Sequence, residues 1–495
     1  MMTRIWNVPA ALFIGSAVCF LLAAALRPGS VAGSEQLARY GRVEDLLYAP
    51  TALQWRRPMG DFPWAMFTTG PVRTQPPRVH SRLAVVSLVL PYDHLFDPEH
   101  GLYTVGHAIL HDADRVALKY LREPRWWKYP GNYLFRGKEW ERSANIEIFD
   151  GNGEPVCNEP VGIRINGNTT RGFPQKALRV SFFPGAGGGQ AIRLFGDDAR
   201  HYDEIVLRAS GNDQDRTMFR DAVQHRLCEA LPFDVSRAVQ SVVYINGAYW
   251  GIHNIRERVE DDELAIRYGL KKNNIVVLAD RALPYRGDDD GVEAKRFKMW
   301  LKRMERMDPQ AGMLQDSIAA VVDPEGFLHY MAAQIIFGNT DWPDQNVKFW
   351  RFTGKADTAN AKTDGRWRFI MGDSDLSFGY AELPADAYPD MFAHLERKQG
   401  PVARLFRCCM RSPEMEARFG VILRQLLDGS LSGQRMESMV HEMARNIDAE
   451  MHRQVRRWRR PRDHAVWQSH VHHMVTFARG RSTVVWGQWQ AWQQH

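Results

Sequence analysis

The chain has 495 residues, of which 44% are apolar and 25% charged, with 16 Trp. That is a globular balance with ample material for a large core, and it excludes a disordered or collagen-like chain. A formal charge of +6, from 64 basic and 58 acidic residues, favours acidic partners such as nucleotides or anionic lipids; with no helix-turn-helix, zinc-finger or RNP pattern it is no nucleic-acid signature.

The N-terminus opens on Arg4 and then runs without charge from Val8 to Leu26. Such a run is long enough to span a bilayer, which takes about 17–25 residues. It also fits a signal peptide, with Ala23, Ala24 and Ala25 as cleavage positions. Residues 1–33 therefore read as a signal anchor or signal peptide and 34–80 as a stalk broken by Pro71, Pro76 and Pro77. Either way the bulk of the chain is expected outside the cytoplasm, held at the cytoplasmic membrane by a single pass or secreted if the signal is cleaved. Five Cys are too few and scattered for a disulfide framework, although one bridge stays open.

A β-rich lead-in region is expected over residues 81–160. It holds an apolar strand at Leu83–Leu90 and an alternating one at Asn145–Phe149, which ends in the turn Asp150-Gly151-Asn152-Gly153. The main domain is expected over 161–495. Val161–Ile165, Ala177–Phe182 and Ile205–Arg208 read as strands, and Thr217–Leu231 has helical spacing. Val239–Asn254 reads as a hairpin about Asn246-Gly247. Beyond about residue 260 helices dominate, at Asp261–Tyr268, Ala294–Met307 and Pro324–Phe337. One strand pair interrupts them, Val347–Phe352 with Trp367–Met371, and the tail from Pro413 to Trp492 is helical, with Ser412-Pro413-Glu414 as its start. The order is a β-rich half followed by an α-rich half, an α+β layout.

Three segments carry candidate chemistry. In Asn339-Thr340-Asp341-Trp342-Pro343-Asp344-Gln345-Asn346 the Asp341–Asn346 spacing equals that between the proton-accepting Asp and the metal-holding Asn of a kinase catalytic loop; loop Asp and Asn also serve as helix caps. In Phe369-Ile370-Met371-Gly372-Asp373-Ser374-Asp375 a strand delivers two carboxylates, the ligands Mg²⁺ prefers beside phosphates, or simply an Asx turn. In Asn166-Gly167-Asn168-Thr169-Thr170-Arg171-Gly172-Phe173-Pro174-Gln175-Lys176 a small, polar loop ends on a strand-opening Lys. Its amides, Arg171 and Lys176 could face phosphates, or the loop is a surface hairpin with solvated charges. Gly185–Gly189 reads as a flexible turn, and Arg456–Arg462 as a solvated helix end. His470 and His473 share a helix face, with no carboxylate evident to complete a metal set.

These segments, together with Leu207-Arg208-Ala209-Ser210, Met218-Phe219-Arg220-Asp221 and Tyr244–Ile252, resemble the CotH family of kinase-like proteins over roughly residues 80–480. The resemblance implies an atypical, two-lobed protein-kinase-like fold and transfer of the ATP γ-phosphate to protein Ser or Thr, with Mg²⁺ or Mn²⁺. It implies Asp341 as the catalytic carboxylate, and Asn346 with Asp373, or less well Asp375, as metal ligands. Lys176 and Arg171 become the nucleotide-binding cations. Glu257 could pair with Lys176 or help hold the metal, or is a solvated strand-end charge; Arg220 is a phosphate contact or a helix-surface ion pair. Met371-Gly372-Asp373 stands where the family often has Pro-Trp-Asp, and Lys176-Ala177-Leu178 where it often has Lys-Lys-Ser. The alternative expectation is a non-catalytic envelope-assembly or binding protein that keeps the fold.

Overall fold

Alternation of apolar and polar residues along the first strands has one geometric outcome here: a sheet rolled shut around its apolar face. The structure is a computed structural model and describes residues 83–104, 131–183, 191–196, 199–309, 313–383 and 387–494. The Val8–Leu26 run, the stalk and the Gly185–Gly189 turn lie outside the described residues. The strands are β1 (Ala84–Val89), β2 (Arg142–Phe149), β3 (Pro155–Asn166), β4 (Ala177–Phe182), β5 (Glu204–Arg208), β6 (Ala238–Ile245) and β7 (Ala248–Glu257). They close in the order β1-β2-β3-β4-β5-β7-β6. The closing pair, β1 with β6, is parallel, and the other neighbours are antiparallel. Closure leaves no unpaired edge to be covered. Ile146, Ile148, Val161, Ile163, Leu178, Val180, Ile205, Leu207 and Ile255 point inward as one core.

One consequence corrects the sequence reading and another agrees with it. Strands β1 and β2, from the 81–160 region, complete the same barrel as β4–β7, so the boundary at 160 falls inside β3. The Asn246-Gly247 hairpin is seen, with φ of 49° and 78°, the left-handed pair that a two-residue turn of this twist requires. Asn246 also clamps the exit of β1, since its side chain accepts from Leu90 N at 2.9 Å and donates to Leu90 O at 2.7 Å.

The C-terminal half is helical around a second, four-stranded antiparallel sheet in the order β11-β10-β8-β9. Its strands are β8 (Ile275–Ala279), β9 (Leu283–Arg286), β10 (Val347–Phe352) and β11 (Arg368–Met371). The expected strand pair β10–β11 is there, and β8 and β9 extend it. Besides a single turn at Asp93–Phe96, the α-helices among the described residues are α1 (Arg220–Leu227), α2 (Asp261–Tyr268), α3 (Val292–Arg306), α4 (Met313–Ala319), α5 (Pro324–Phe337), α6 (Met391–Arg397), α7 (Pro401–Met410), α8 (Pro413–Asp428), α9 (Gly433–Trp458) and α10 (His464–Trp492). Helix α5 is the spine of this half. Asp323 caps it through Gly326 N, Pro324 opens it, and Gly338 ends it at φ 64°, the expected start and stop residues. All but a few of its side chains are buried. It hands the chain directly to Asn339–Asp341.

Cys157, Cys228, Cys408 and Cys409 are free, buried thiols; burial raises Cys157 to about 12 and Cys408 to about 11. Among the described residues no helix is long and apolar enough to cross a membrane.

Candidate functional site

Strand pairing creates the site. Val347 lies opposite Met371 in the β10–β11 ladder, so Asn346, just before β10, faces Gly372, just after β11. The approach is tight: a Cβ on Gly372 would stand 2.1 Å from Asn346 O. This close packing sets Asp373 beside the loop that carries Asp341. Asn346 adopts φ 60° and donates from Nδ2 to Asp341 Oδ2 at 2.8 Å. Its amide oxygen is then left to face elsewhere.

The electrostatics bind Asp341 and Asp373 into one unit. Burial raises the Asp341 carboxyl above its usual range; the negative charges of Asp373 and Asp280 add to this, while the Asn346 hydrogen bond and Lys398 oppose it. Asp373 keeps about a third of its side chain in solvent and takes Arg208 Nη2 on Oδ1 at 2.7 Å. Asp375 turns inward instead. It accepts from Asn212 N at 2.7 Å and sits 3.3 Å from the same Arg208 nitrogen, and burial with the nearby Asp373 charge pushes its carboxyl up. Gly211, at φ 54°, leaves the space this carboxylate uses, since a Cβ there would meet Asp375 Oδ2 at 2.3 Å.

Behind these groups stands Asp221 of α1. It takes Arg256 Nη1 at 2.6 Å and Arg208 Nε at 3.6 Å, and receives Ser374 N at 3.0 Å. Burial alone would raise it, but the two guanidinium groups outweigh that and hold it well below the usual carboxylate range. Arg208 is thus shared by Asp221, Asp373 and Asp375, and joins the barrel rim to the loop after β11. The donor set Asp373, Asn346 Oδ1 and Asp341 consists of hard oxygens, which fits Mg²⁺ or Mn²⁺. The mutual repulsion of Asp341 and Asp373 is what a bound cation would relieve.

The remaining expected residues spend their charges on other partners. Lys176 is fully buried: Nζ donates to Arg171 O at 2.7 Å and Phe173 O at 3.0 Å and lies 4.0 Å above the Tyr133 ring. Burial lowers it well below an ordinary Lys. Arg171 spends its guanidinium on the carbonyls of Tyr133, Ile165 and Phe135, and burial brings it down to about 10. The cations of the Asn166–Lys176 loop are therefore buried against backbone carbonyls and are not the solvated ones of a surface hairpin, while Asn168 and Thr169 stay exposed. Glu257 does not reach Lys176. The Lys176 carbonyl is beside His253 Nε2 at 3.3 Å, and Glu257 lies four residues further along β7, about 13 Å away. There Arg200, Arg237 and Arg267 take up its carboxylate. Arg220 is no surface ion pair either: with no solvent exposure, it binds Asp213 at 3.0 Å and donates to Phe378 O at 2.5 Å.

Sequence reasoning did not assign Arg208, Asp221 or Asp280. Arg208 and Asp221 stood within noted segments, but a charge in a strand or first helical turn reads as solvated until its partners are known, and those in the loop after β11 are over 150 residues away. A groove of about 340 Å³ opens beside Asp344, lined by Arg281, Lys298, Lys302 and Arg404.

Barrel, helical half and paired strand ends define a mixed α/β protein with a carboxylate–amide site at the junction of β10 and β11. The family described as CotH kinase protein matches residues 163–485, and the chain belongs to that family. No curated protein matches it.

Proposed function

We propose that this protein is a kinase that transfers the γ-phosphoryl group of ATP to a Ser or Thr hydroxyl of an envelope or secreted protein. The reading rests chiefly on the Asp341–Asn346 hydrogen bond, with Asp373 held close enough for its charge to be felt at Asp341. In this reading the barrel half and the helical half serve as the two lobes of a kinase-like enzyme. The Val8–Leu26 run would hold the chain at the outer side of the cytoplasmic membrane.

Asp341 orients the acceptor hydroxyl and takes its proton as the new O–P bond forms and the bond to the ADP oxygen breaks. A carboxyl with a raised pKa is the better base for this step. Asn346 fixes the Asp341 rotamer. Asp373 and Asn346 would hold Mg²⁺ or Mn²⁺, which supplies charge neutralisation at the phosphates. Asp375 and Asp221, through Arg208, keep Asp373 in place. With Lys176 and Arg171 engaged by carbonyls, Lys398 becomes the cation proposed to meet the phosphates, since it is partly exposed beside Asp344 Oδ2 at 3.7 Å and its charge acts on Asp341. The internal engagement of Lys176, Arg171, Glu257 and Arg220 is what favours the second reading, a non-catalytic binding protein of the cell envelope.

Labelled ATP with Mg²⁺ or Mn²⁺ and calorimetric titration separate the two. Asp341→Asn should abolish transfer and spare metal-dependent ATP binding. Asp373→Asn should abolish transfer and weaken that binding by roughly one to two powers of ten. Undiminished autophosphorylation in both variants, or no ATP binding by the unaltered chain, would remove the kinase reading.

A further inference from the structure

His470 and His473 stand one turn apart on α10, and a carboxylate does complete their set. It is Glu382, 88 residues from His470 in sequence, within the connection between β11 and α6 that also carries Asp373. His470 Nδ1 lies 2.5 Å from Glu382 Oε1, and His473 Nδ1 lies 3.8 Å from Glu382 Oε2. The three ligand atoms fall within 4.8 Å of one another, and all three residues are half-buried. His473 Nδ1 is sealed from solvent and has no hydrogen-bond partner. A buried polar atom without a partner asks for an explanation.

The 3.8 Å separation supplies one. It is too long for a hydrogen bond. It is near the edge, about 3.4 Å, of a tetrahedron built from Zn–N and Zn–O bonds of about 2.1 Å. Two imidazoles and one carboxylate form a borderline donor set that suits Zn²⁺ and its neighbours, not Mg²⁺. Arg216 contacts the same oxygen as His470 and lies 4.0 Å over the Tyr380 ring. It orients the carboxylate from behind and leaves Oε2, toward His473, for a cation, as supporting partners of metal ligands commonly do.

We propose that Glu382, His470 and His473 form a Zn²⁺-class site, separate from the Asp341–Asp373 site, with its fourth position taken by water. Each imidazole binds through Nδ1 and keeps its proton on Nε2. The metal ties α10 to the segment that runs from Asp373 through Phe378, and so to the loop after β11. The His470–Glu382 hydrogen bond is exchanged for two metal–ligand bonds.

The test uses the full chain, stripped with chelator, and Zn²⁺ alone. One equivalent should bind and raise Tm, and Co²⁺ in its place should give visible ligand-field bands. The double variant His470→Asn, His473→Gln and the single variant Glu382→Gln should each weaken binding at least about tenfold and lose the Tm gain. Should the double variant fail to fold, His473→Gln alone serves, since Nδ1 there makes no hydrogen bond to lose. Uptake and Tm gain unchanged in His473→Gln, or no uptake by the unaltered chain, overturns the proposal. Uptake abolished only by Asp341→Asn or Asp373→Asn would assign the metal to the other site and overturn it as well.

Discussion

Asp341 carries a carboxyl that its surroundings push upward, first by burial and then by the like charges of Asp373 and Asp280. Asp280 belongs to the loop after β8 and donates its N–H to Val347 O at 2.8 Å. Removing its charge should therefore ease ionisation of Asp341: Asp280→Asn should move the acidic limb of the rate profile to lower pH. A pH–rate series on purified enzyme reads this, and a limb that stays put or moves upward contradicts the assignment of Asp341 as base. Gly372 offers a steric test of the same site. A Cβ there would meet Asn346 O at 2.1 Å and Asn346 C at 2.8 Å, both backbone atoms that cannot rotate away. Gly372→Ala should cost about 1–3 kcal/mol of stability, the range for overpacking, and should lower transfer by displacing Asn346. Denaturant melts read the first effect and turnover the second. The Asp341–Asn346 spacing was legible in the sequence because loop chemistry is local. The fate of Lys176 was not, because its burial depends on Tyr133 and on the turn at Thr169–Gly172 that folds carbonyls back over it.

Glu260 organises the elements around the second sheet. It precedes α2 and gathers Arg258 at 2.6 Å, Arg286 of β9 at 2.8 Å and Lys348 of β10 at 3.2 Å. Burial alone would raise this carboxyl; Lys348 and Arg258 overcome it and bring it down to about 2. Its folded value is depressed below the ordinary 4.5 of a Glu, so its contribution is complete above about pH 4.5 and is lost as pH falls through about 2. The size is about 3 kcal/mol. Thermal melts from pH 6 to pH 3 should show a steep acid loss that is much flatter in Glu260→Gln. The same slope in both would assign acid unfolding to other carboxylates. Elements with a clear period, such as β4, α2, α5 and β10, have the bounds that the sequence predicts. Strands β8 and β9 escaped because Ile275–Ala279 is a continuous apolar run between helices, which periodicity cannot sort, and Leu283–Arg286 contains a Pro. The lead-in region looked separable because the β1–β6 pairing that encloses it joins residues 157 apart in sequence, as Ala84 with Ser241.

Across the whole molecule, α10 is the element that joins the C-terminal tail to the candidate site. Phe477 packs on Phe378 with ring centroids 5.1 Å apart, and Arg481, with 1% of its surface exposed, donates to Ile336 O at 2.8 Å and Ile335 O at 2.7 Å. Those carbonyls belong to the last turn of α5; Ile335 O also accepts from Gly338 N at 3.1 Å, whereas Ile336 O lies past the helix's own ladder of donors. Arg481 therefore caps the helix that delivers Asn339–Asp341. Burial lowers its guanidinium to about 10, so it is retained at a solvation cost. Arg481→Leu relieves that cost but leaves the Ile336 carbonyl without a donor, at about 1–3 kcal/mol, and Ile335 O with Gly338 N alone. The net result should be a lower Tm, with reduced turnover because α5 frays toward Asp341. Arg481→Lys keeps one donor and should fall between. ATP affinity should stay within about twofold in both, because neither carbonyl lies among the proposed nucleotide ligands. Melts, turnover and ATP titration on the three proteins decide it. An unchanged Tm in Arg481→Leu would show that the α5 terminus does not depend on α10. A parallel loss of ATP affinity would mean that the nucleotide, and not only Asp341, is positioned by this helix.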